Sequence, residues 1–130
     1  MIVLDASATI DWLLRTGAGQ RIEERIYSRD ETLHAPYLLD LEVMQVLRRM
    51  VHRDEIPDRR AEEAVIDLLR LRIDLYAHRP LMGRIWQMRH NFSAYDAAYV
   101  ALAEKLDATL VTIDARLAAA SGHRATIELF

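Results

Sequence analysis

Apolar positions fall along the chain in two kinds of block. Two are short and continuous. Ile2-Val3-Leu4 is closed by Asp5, and Leu110-Val111-Thr112-Ile113, preceded by Thr109, is closed by Asp114. Continuous runs of this length suit strands buried on both faces, as in a parallel sheet. Leu33-His34-Ala35, Ile73–Tyr76 and Thr126–Leu129 give weaker strand signals, the last at a sheet edge. The other blocks have helical spacing. A helix is expected over Ser7–Arg15, broken by Thr16-Gly17-Ala18-Gly19, with helical spacing returning over Gln20–Arg29. Pro36 is expected to start a new element. Tyr37–Arg53 carries Leu39, Val43, Val46, Leu47 and Met50 on one stripe. After Pro57, Asp58 is expected to cap a helix with Ala61, Ala64, Val65, Leu68 and Leu69 on one face. Pro80 opens a helix holding Leu81, Ile85 and Met88. Ser93–Leu106 is an Ala-rich helix, and Ala115–Ala120 is a short one.

Strands alternating with helices predict the α/β class: an α/β/α sandwich with a short, mostly parallel central sheet. No repeat, linker or low-complexity stretch divides the 130 residues, so one domain over 1–130 is expected. Ligands of such sheets sit beyond the carboxyl ends of the strands. Asp5 and Asp114 fall at those ends.

Composition narrows the chemistry. There is no cysteine, which excludes disulfides, thiolate metal sites and a cysteine nucleophile. No apolar run approaches the ~20 residues of a membrane span. No basic leader precedes a long apolar stretch. A cytoplasmic protein is the expectation. Seventeen Lys and Arg stand against twenty Asp and Glu, a formal charge of −3. That argues against binding nucleic acid by bulk charge alone. It leaves room for a metal-dependent nuclease, because acids gathered around a cation no longer repel a phosphate. Lys105 is the sole lysine, so the bases are nearly all arginine, whose planar fork suits phosphate.

Most acids, such as Glu23, Glu24, Glu31, Glu62 and Glu63, lie beside arginines and read as solvated surface. Four stand in apolar company. Asp5 follows Met-Ile-Val-Leu and is either a carboxylate at the sheet edge or the cap of the next helix. Glu42 borders the apolar stripe of its helix, among Leu38, Leu39 and Val46. It needs a cation there, or else reaches Arg49. Asp96 lies in Ser93-Ala94-Tyr95-Asp96, a spacing that also fits a capping box. Asp114 ends the second clear strand. Ser7 and Thr112 each stand two residues from a strand-end acid and are supporting candidates. Four acids at one sheet edge repel each other unless a cation joins them. An all-oxygen set suits Mg²⁺ or Mn²⁺ rather than zinc. Metal-assisted phosphodiester hydrolysis is the natural chemistry of such a cluster.

The residues that carry this argument resemble the PIN-domain family, and within it the VapC-type toxin ribonucleases of toxin–antitoxin systems. The matching stretches are Ile2-Val3-Leu4-Asp5-Ala6-Ser7, Pro36 to Leu47 around Glu42, Ser93-Ala94-Tyr95-Asp96-Ala97-Ala98-Tyr99-Val100-Ala101-Leu102-Ala103, and Leu110-Val111-Thr112-Ile113-Asp114. The resemblance implies a Mg²⁺-dependent endoribonuclease, with Mn²⁺ also possible. Its catalytic and metal-binding carboxylates would be Asp5, Glu42, Asp96 and Asp114, with Ser7 and Thr112 supporting. It further implies an RNA substrate, a VapB-type antitoxin and a homodimer. From the acid cluster and the resemblance together, an antitoxin arginine or lysine is expected near Asp96 and Asp114.

Two other classes compete. Another phosphoryl-transfer hydrolase with an aspartyl nucleophile would want a second acid just after Asp5, where Ala6-Ser7 stands. A non-catalytic module on the same scaffold would be expected to lose acids, and none is lost. The five histidines show no ligand spacing. Arg48, Arg49, Arg53, Arg59, Arg60, Arg70 and Arg72 either line an RNA path or pair with nearby acids. Trp12, Leu13, Leu14, Trp86 and Met88 are expected in the core, with one or two of the first three open to a dimer contact.

Overall fold

The structure is a computed structural model that describes residues Met1–Phe130. The elements run β1 (Ile2–Leu4), α1 (Ala6–Leu13), α2 (Gly17–Ser28), β2 (Leu33–Pro36), α3 (Leu38–His52), α4 (Asp58–Arg70) and β3 (Ile73–Tyr76). A 3₁₀ turn (Arg79–Leu81), α5 (Met82–Gln87), α6 (Ala94–Leu106), β4 (Thr109–Thr112), α7 (Ala115–Ala119) and β5 (Ile127–Leu129) follow. No helix is long and apolar enough to cross a membrane.

The five strands form one sheet in the order β3-β2-β1-β4-β5, and every neighbouring pair is parallel. The chain steps outward from β1 through β2 to β3, then returns to the other flank of β1 with β4 and β5. The order therefore reverses between β1 and β4, and a crevice opens there at the strands' carboxyl ends. Register sharpens this point. Leu4 pairs with Val111, so Asp5, just past β1, and Thr112, the last residue of β4, lie side by side.

Period-2 alternation divides the core between two faces. Ile2, Leu4, Leu33 and Val111 pack with Ala8 and Trp12 of α1 and with Ile22 and Ile26 of α2. Val3, Ala35 and Leu110 face the other way, onto Leu39, Val43 and Leu47 of α3, Ala64 and Leu68 of α4, and the alanine-rich α6. Helices on both faces of a parallel sheet make the predicted sandwich. The alanines of α6 let that helix lie against β1, β2 and β4, and Ala97 to Ala103 are all buried.

Several local expectations change. The glycine stretch after α1 does not delay the next helix. Thr16 N-caps α2, its hydroxyl accepting the Gly19 amide at 3.1 Å. Gly19 is there because α2 presses on the end of α1: an added Cβ would fall 2.0 Å from the Asp11 carbonyl oxygen. Pro36 ends β2 rather than opening an element. Pro57 occupies the N-cap position of α4, and Asp58 is the first helical residue and makes no cap bond. Leu69 and Trp86 are 80% and 68% exposed, so neither is core, while Trp12, Leu13 and Met88 are buried. Glu31 is not solvated surface. Its side chain is mostly buried between the N-terminal ammonium and Arg25.

Candidate functional site

Asp5 both caps a helix and faces the crevice. One of its oxygens, Oδ1, accepts the Ala8 amide at 2.8 Å and the Ser7 hydroxyl at 2.7 Å. The other, Oδ2, accepts the Thr112 hydroxyl. Ser7 and Thr112 stand 3.2 Å apart. Ser7 also accepts the Ile113 amide at 3.1 Å, and Thr112 accepts the Asp114 amide at 2.9 Å. The two hydroxyls thus tie the ends of β1 and β4 to one carboxylate. Burial pushes the Asp5 carboxyl above its usual range. The bonds from Ala8, Thr112 and Ser7 oppose this, and the Asp114 charge adds to it.

Asp114 N-caps α7, its Oδ1 accepting the amides of Arg116 at 2.9 Å and Leu117 at 3.2 Å. Burial alone would raise this carboxyl, but the bonds from Leu117 and Arg116 hold it below the usual carboxylate range. Asp96 lies in the first turn of α6. Its amide donates to the Ser93 hydroxyl at 3.1 Å, half of the capping box. The other half is not made, because the Asp96 carboxylate is turned to Arg116 instead. A single guanidinium nitrogen of Arg116, Nη2, stands 3.5 Å from Asp96 Oδ2 and 3.2 Å from Asp114 Oδ2.

Glu42 comes from α3 and faces α6. The Tyr99 hydroxyl donates to its Oε2 at 2.6 Å. Arg49, the alternative partner, makes no ion pair with it. Burial raises the Glu42 carboxyl, Tyr99 counters this, and the charges of Asp96 and Asp5 raise it further. Burial and the Glu42 charge also drive the Tyr99 phenol well above its ordinary range, so it acts as a donor only.

These residues share one pocket of about 250 Å³, lined by Asp5, Ser7, Glu42, Asp96, Tyr99 and Asp114, with Ala6, Gln45, Val46 and Arg49 completing it. Every carboxylate singled out from the sequence is in it. None of the five histidines is. Tyr99, Gln45, Arg49 and Arg116 were not assigned to the site from sequence. Tyr99 is one turn beyond Asp96, and Gln45 and Arg49 continue the Glu42 stripe at helical spacing, so periodicity held a signal for these three. For Arg116 there was none, since its contact with Asp96 joins two helices.

The donors fit a hard divalent cation in kind: all are oxygen, and none is soft. They are not drawn into a ready cage, and no three of them stand close enough for one. Like charges spread apart when only hydroxyls, amides and an arginine hold them. Burial is the main cause that raises Asp5 and Glu42, and the charges of neighbouring acids add to it.

A doubly wound parallel sheet with a carboxylate pocket at its switch point defines a class of acid-cluster α/β domains. The sequence pattern of the PIN domain matches residues 2–122, and the chain belongs to that family. It is 43% identical to Ribonuclease VapC12 of Mycobacterium tuberculosis, over 99% of this chain and 98% of that one. PAE2754 of Pyrobaculum aerophilum shares the fold, with a TM-score of 0.73 and 21% identity, over 97% of this chain and 81% of the other. VapBC2 of Rickettsia felis, solved bound to a DNA fragment from its promoter, shares it with a TM-score of 0.63 and 12% identity, over 99% and 98%.

Proposed function

We propose that the chain is a toxin endoribonuclease that uses Mg²⁺, or Mn²⁺ in its place, to hydrolyse RNA phosphodiesters. The observation that carries this reading is the meeting of Asp5, Glu42, Asp96 and Asp114, from four separate segments of the chain, in one pocket at the sheet's switch point. The ribonuclease name of the VapC12 relative supports the substrate class.

Asp5, Asp96, Asp114 and Glu42 are the residues that would hold the ion. A divalent cation in such a pocket supplies Lewis-acid activation of water and stabilises charge on the transferred phosphate. The chain supplies the rest. Ser7, Thr112 and the Ala8 amide fix Asp5, so this carboxylate is positioned before substrate arrives. Tyr99 fixes Glu42 through Oε2. Its Oε1 is left for the ion. Arg49, on the pocket wall and free of any acid, is placed to meet a substrate phosphate.

The same reading includes a VapB-type antitoxin that neutralises the enzyme, and a homodimer. The family match and the VapBC2 fold neighbour support the antitoxin.

Labelled transfer, ribosomal and messenger RNAs, incubated with the purified protein with Mg²⁺ and with EDTA, test the activity. Cleavage is expected with Mg²⁺ only, and Asp96→Asn should lower its rate at least ~100-fold with the fold intact by circular dichroism. Equal cleavage by Asp96→Asn, or cleavage in EDTA, contradicts the proposal. Cation binding without cleavage of any RNA points instead to the non-catalytic class.

A further inference from the structure

A cation of the chain itself stands beside the pocket, in the adjoining cavity that shares Asp96 with it. Arg116 places one nitrogen against both Asp96 and Asp114, where an ion shared by these two carboxylates would have to act. A partner's basic residue is expected near these two acids, and the chain also has a base of its own beside them.

Three features of Arg116 bear on what it does. Its backbone is fixed, because its amide donates to Asp114 Oδ1 at 2.9 Å in the first turn of α7. Its side chain is loose: it is 78% exposed, and its only polar partners are the two carboxylates. The remaining pocket acids are engaged elsewhere, Asp5 by hydroxyls and an amide, Glu42 by Tyr99. Asp96 and Asp114 are thus the pair whose charge is balanced by a movable group. The contrast with Arg84 is instructive. That guanidinium is 30% exposed and grips Glu104 through two nitrogens at 2.7 and 2.9 Å. Arg84 is built to stay, whereas Arg116 is held by one nitrogen, at 3.2 Å from Asp114 and 3.5 Å from Asp96.

We infer that Arg116 is a displaceable counter-ion that competes with the divalent cation for Asp96 and Asp114, and so sets the cation concentration at which the pocket fills. The inference rests on the reading of the pocket as a cation site. A divalent cation on Asp96 Oδ2 and Asp114 Oδ2 would repel the guanidinium that stands on the same two oxygens. Arg116 must therefore leave the carboxylates when they are taken, and its fixed backbone keeps the freed fork at the pocket mouth. There it can meet a phosphate oxygen of the bound RNA, as guanidinium groups do. One residue then restrains the empty pocket and assists the filled one.

Calorimetric titration of the purified protein with Mn²⁺, at fixed ionic strength, tests this without measuring activity. Arg116→Gln removes the charge and keeps a polar side chain, while Arg116→Lys keeps a charge. Arg59→Gln is the control: it removes the same charge from an exposed site on α4, paired only to Glu63. Arg116→Gln is expected to bind Mn²⁺ about three- to tenfold more tightly than the unmodified protein. Arg116→Lys should stay within about twofold, and Arg59→Gln should not change. Unchanged or weaker binding by Arg116→Gln overturns the inference, as does an equal gain in Arg59→Gln, which would make the effect one of net charge. Asp96→Asn separates the two levels. If the unmodified protein binds Mn²⁺ and Asp96→Asn does not, the cation site stands whatever Arg116 does. If neither the unmodified protein nor Arg116→Gln binds Mn²⁺, the site reading and the inference both fall.

Discussion

At the scale of single residues, the site depends on how each carboxylate is tied down. Tyr99 is the least replaceable of these ties. It is buried to 2% exposure, and its hydroxyl meets Glu42 at 2.6 Å. Tyr99→Phe keeps the ring and deletes the donor, leaving a half-buried carboxylate short of a bond. The loss is expected to be about 1–2 kcal/mol, measured by urea denaturation near neutral pH. No change in midpoint would show that water replaces the phenol. The four acids were readable because each interrupts an apolar pattern: Asp5 and Asp114 close hydrophobic runs, Glu42 borders a hydrophobic stripe, and Asp96 sits three residues after a serine cap. Tyr99 interrupts no pattern, since an aromatic ring fits the buried face of the alanine-rich α6. Its hydroxyl mattered only once α3 and α6 were side by side.

At the scale of elements, strands and long helices followed from periodicity, while their ends followed from contacts. Thr16 with Gly17 and Gly19 reads as a break, yet it starts α2 directly. A threonine hydroxyl caps the helix, and a glycine allows the close approach to α1. In an exposed helix, Gly→Ala would stabilise by about 1 kcal/mol. At Gly19 the sign reverses, because the new methyl would meet the backbone of Asp11 and Trp12 rather than a flexible side chain. Gly19→Ala is expected to destabilise by about 1–3 kcal/mol in thermal or urea unfolding. A gain in stability would mean that the two helices part at little cost. Leu69 and Trp86 misled for a related reason. A helix in an outer layer carries apolar residues beyond the stripe its neighbours cover, and periodicity alone does not mark where cover stops.

At the scale of the whole molecule, the sheet order places the acids. Reversal between β1 and β4 brings Asp5 beside Thr112, and α3, α6 and α7 deliver the other carboxylates to the same crevice. The charged groups away from the pocket are arranged in the opposite way. Glu104, nearly buried, is held below the usual carboxylate range by its bonds from Arg84, against the cost of burial, with the Arg124 amide assisting. Glu31 is also lowered: burial pushes it up, but the N-terminal ammonium and Arg25 outweigh that push. A lowered carboxylate adds stability that is complete above its unfolded value, near 4.5, and is lost as pH falls through the lower folded value. Asp5 and Glu42, raised in the fold, have the reverse sign: their ionised forms cost stability, and protonation relieves that cost. Glu104→Gln is therefore expected to lower stability by about 2 kcal/mol at pH 7 and by progressively less below pH 4.5, its curve converging on that of the unmodified protein. A constant gap down to the acid transition would assign the loss to packing instead. These long-range pairs were not visible in sequence, since Glu31 looked like one more acid among arginines until the fold set the N-terminus and Arg25 against it.

The central claim is that the carboxylate pocket is where a divalent cation acts on RNA. Anomalous diffraction from crystals equilibrated with Mn²⁺, at a concentration that supports RNA cleavage, tests it most directly. A manganese peak in the pocket, held by oxygens from among Asp5, Glu42, Asp96 and Asp114 with the Arg116 side chain withdrawn, is the predicted result. A pocket without manganese at that concentration, or manganese bound only elsewhere on the protein, would contradict the account.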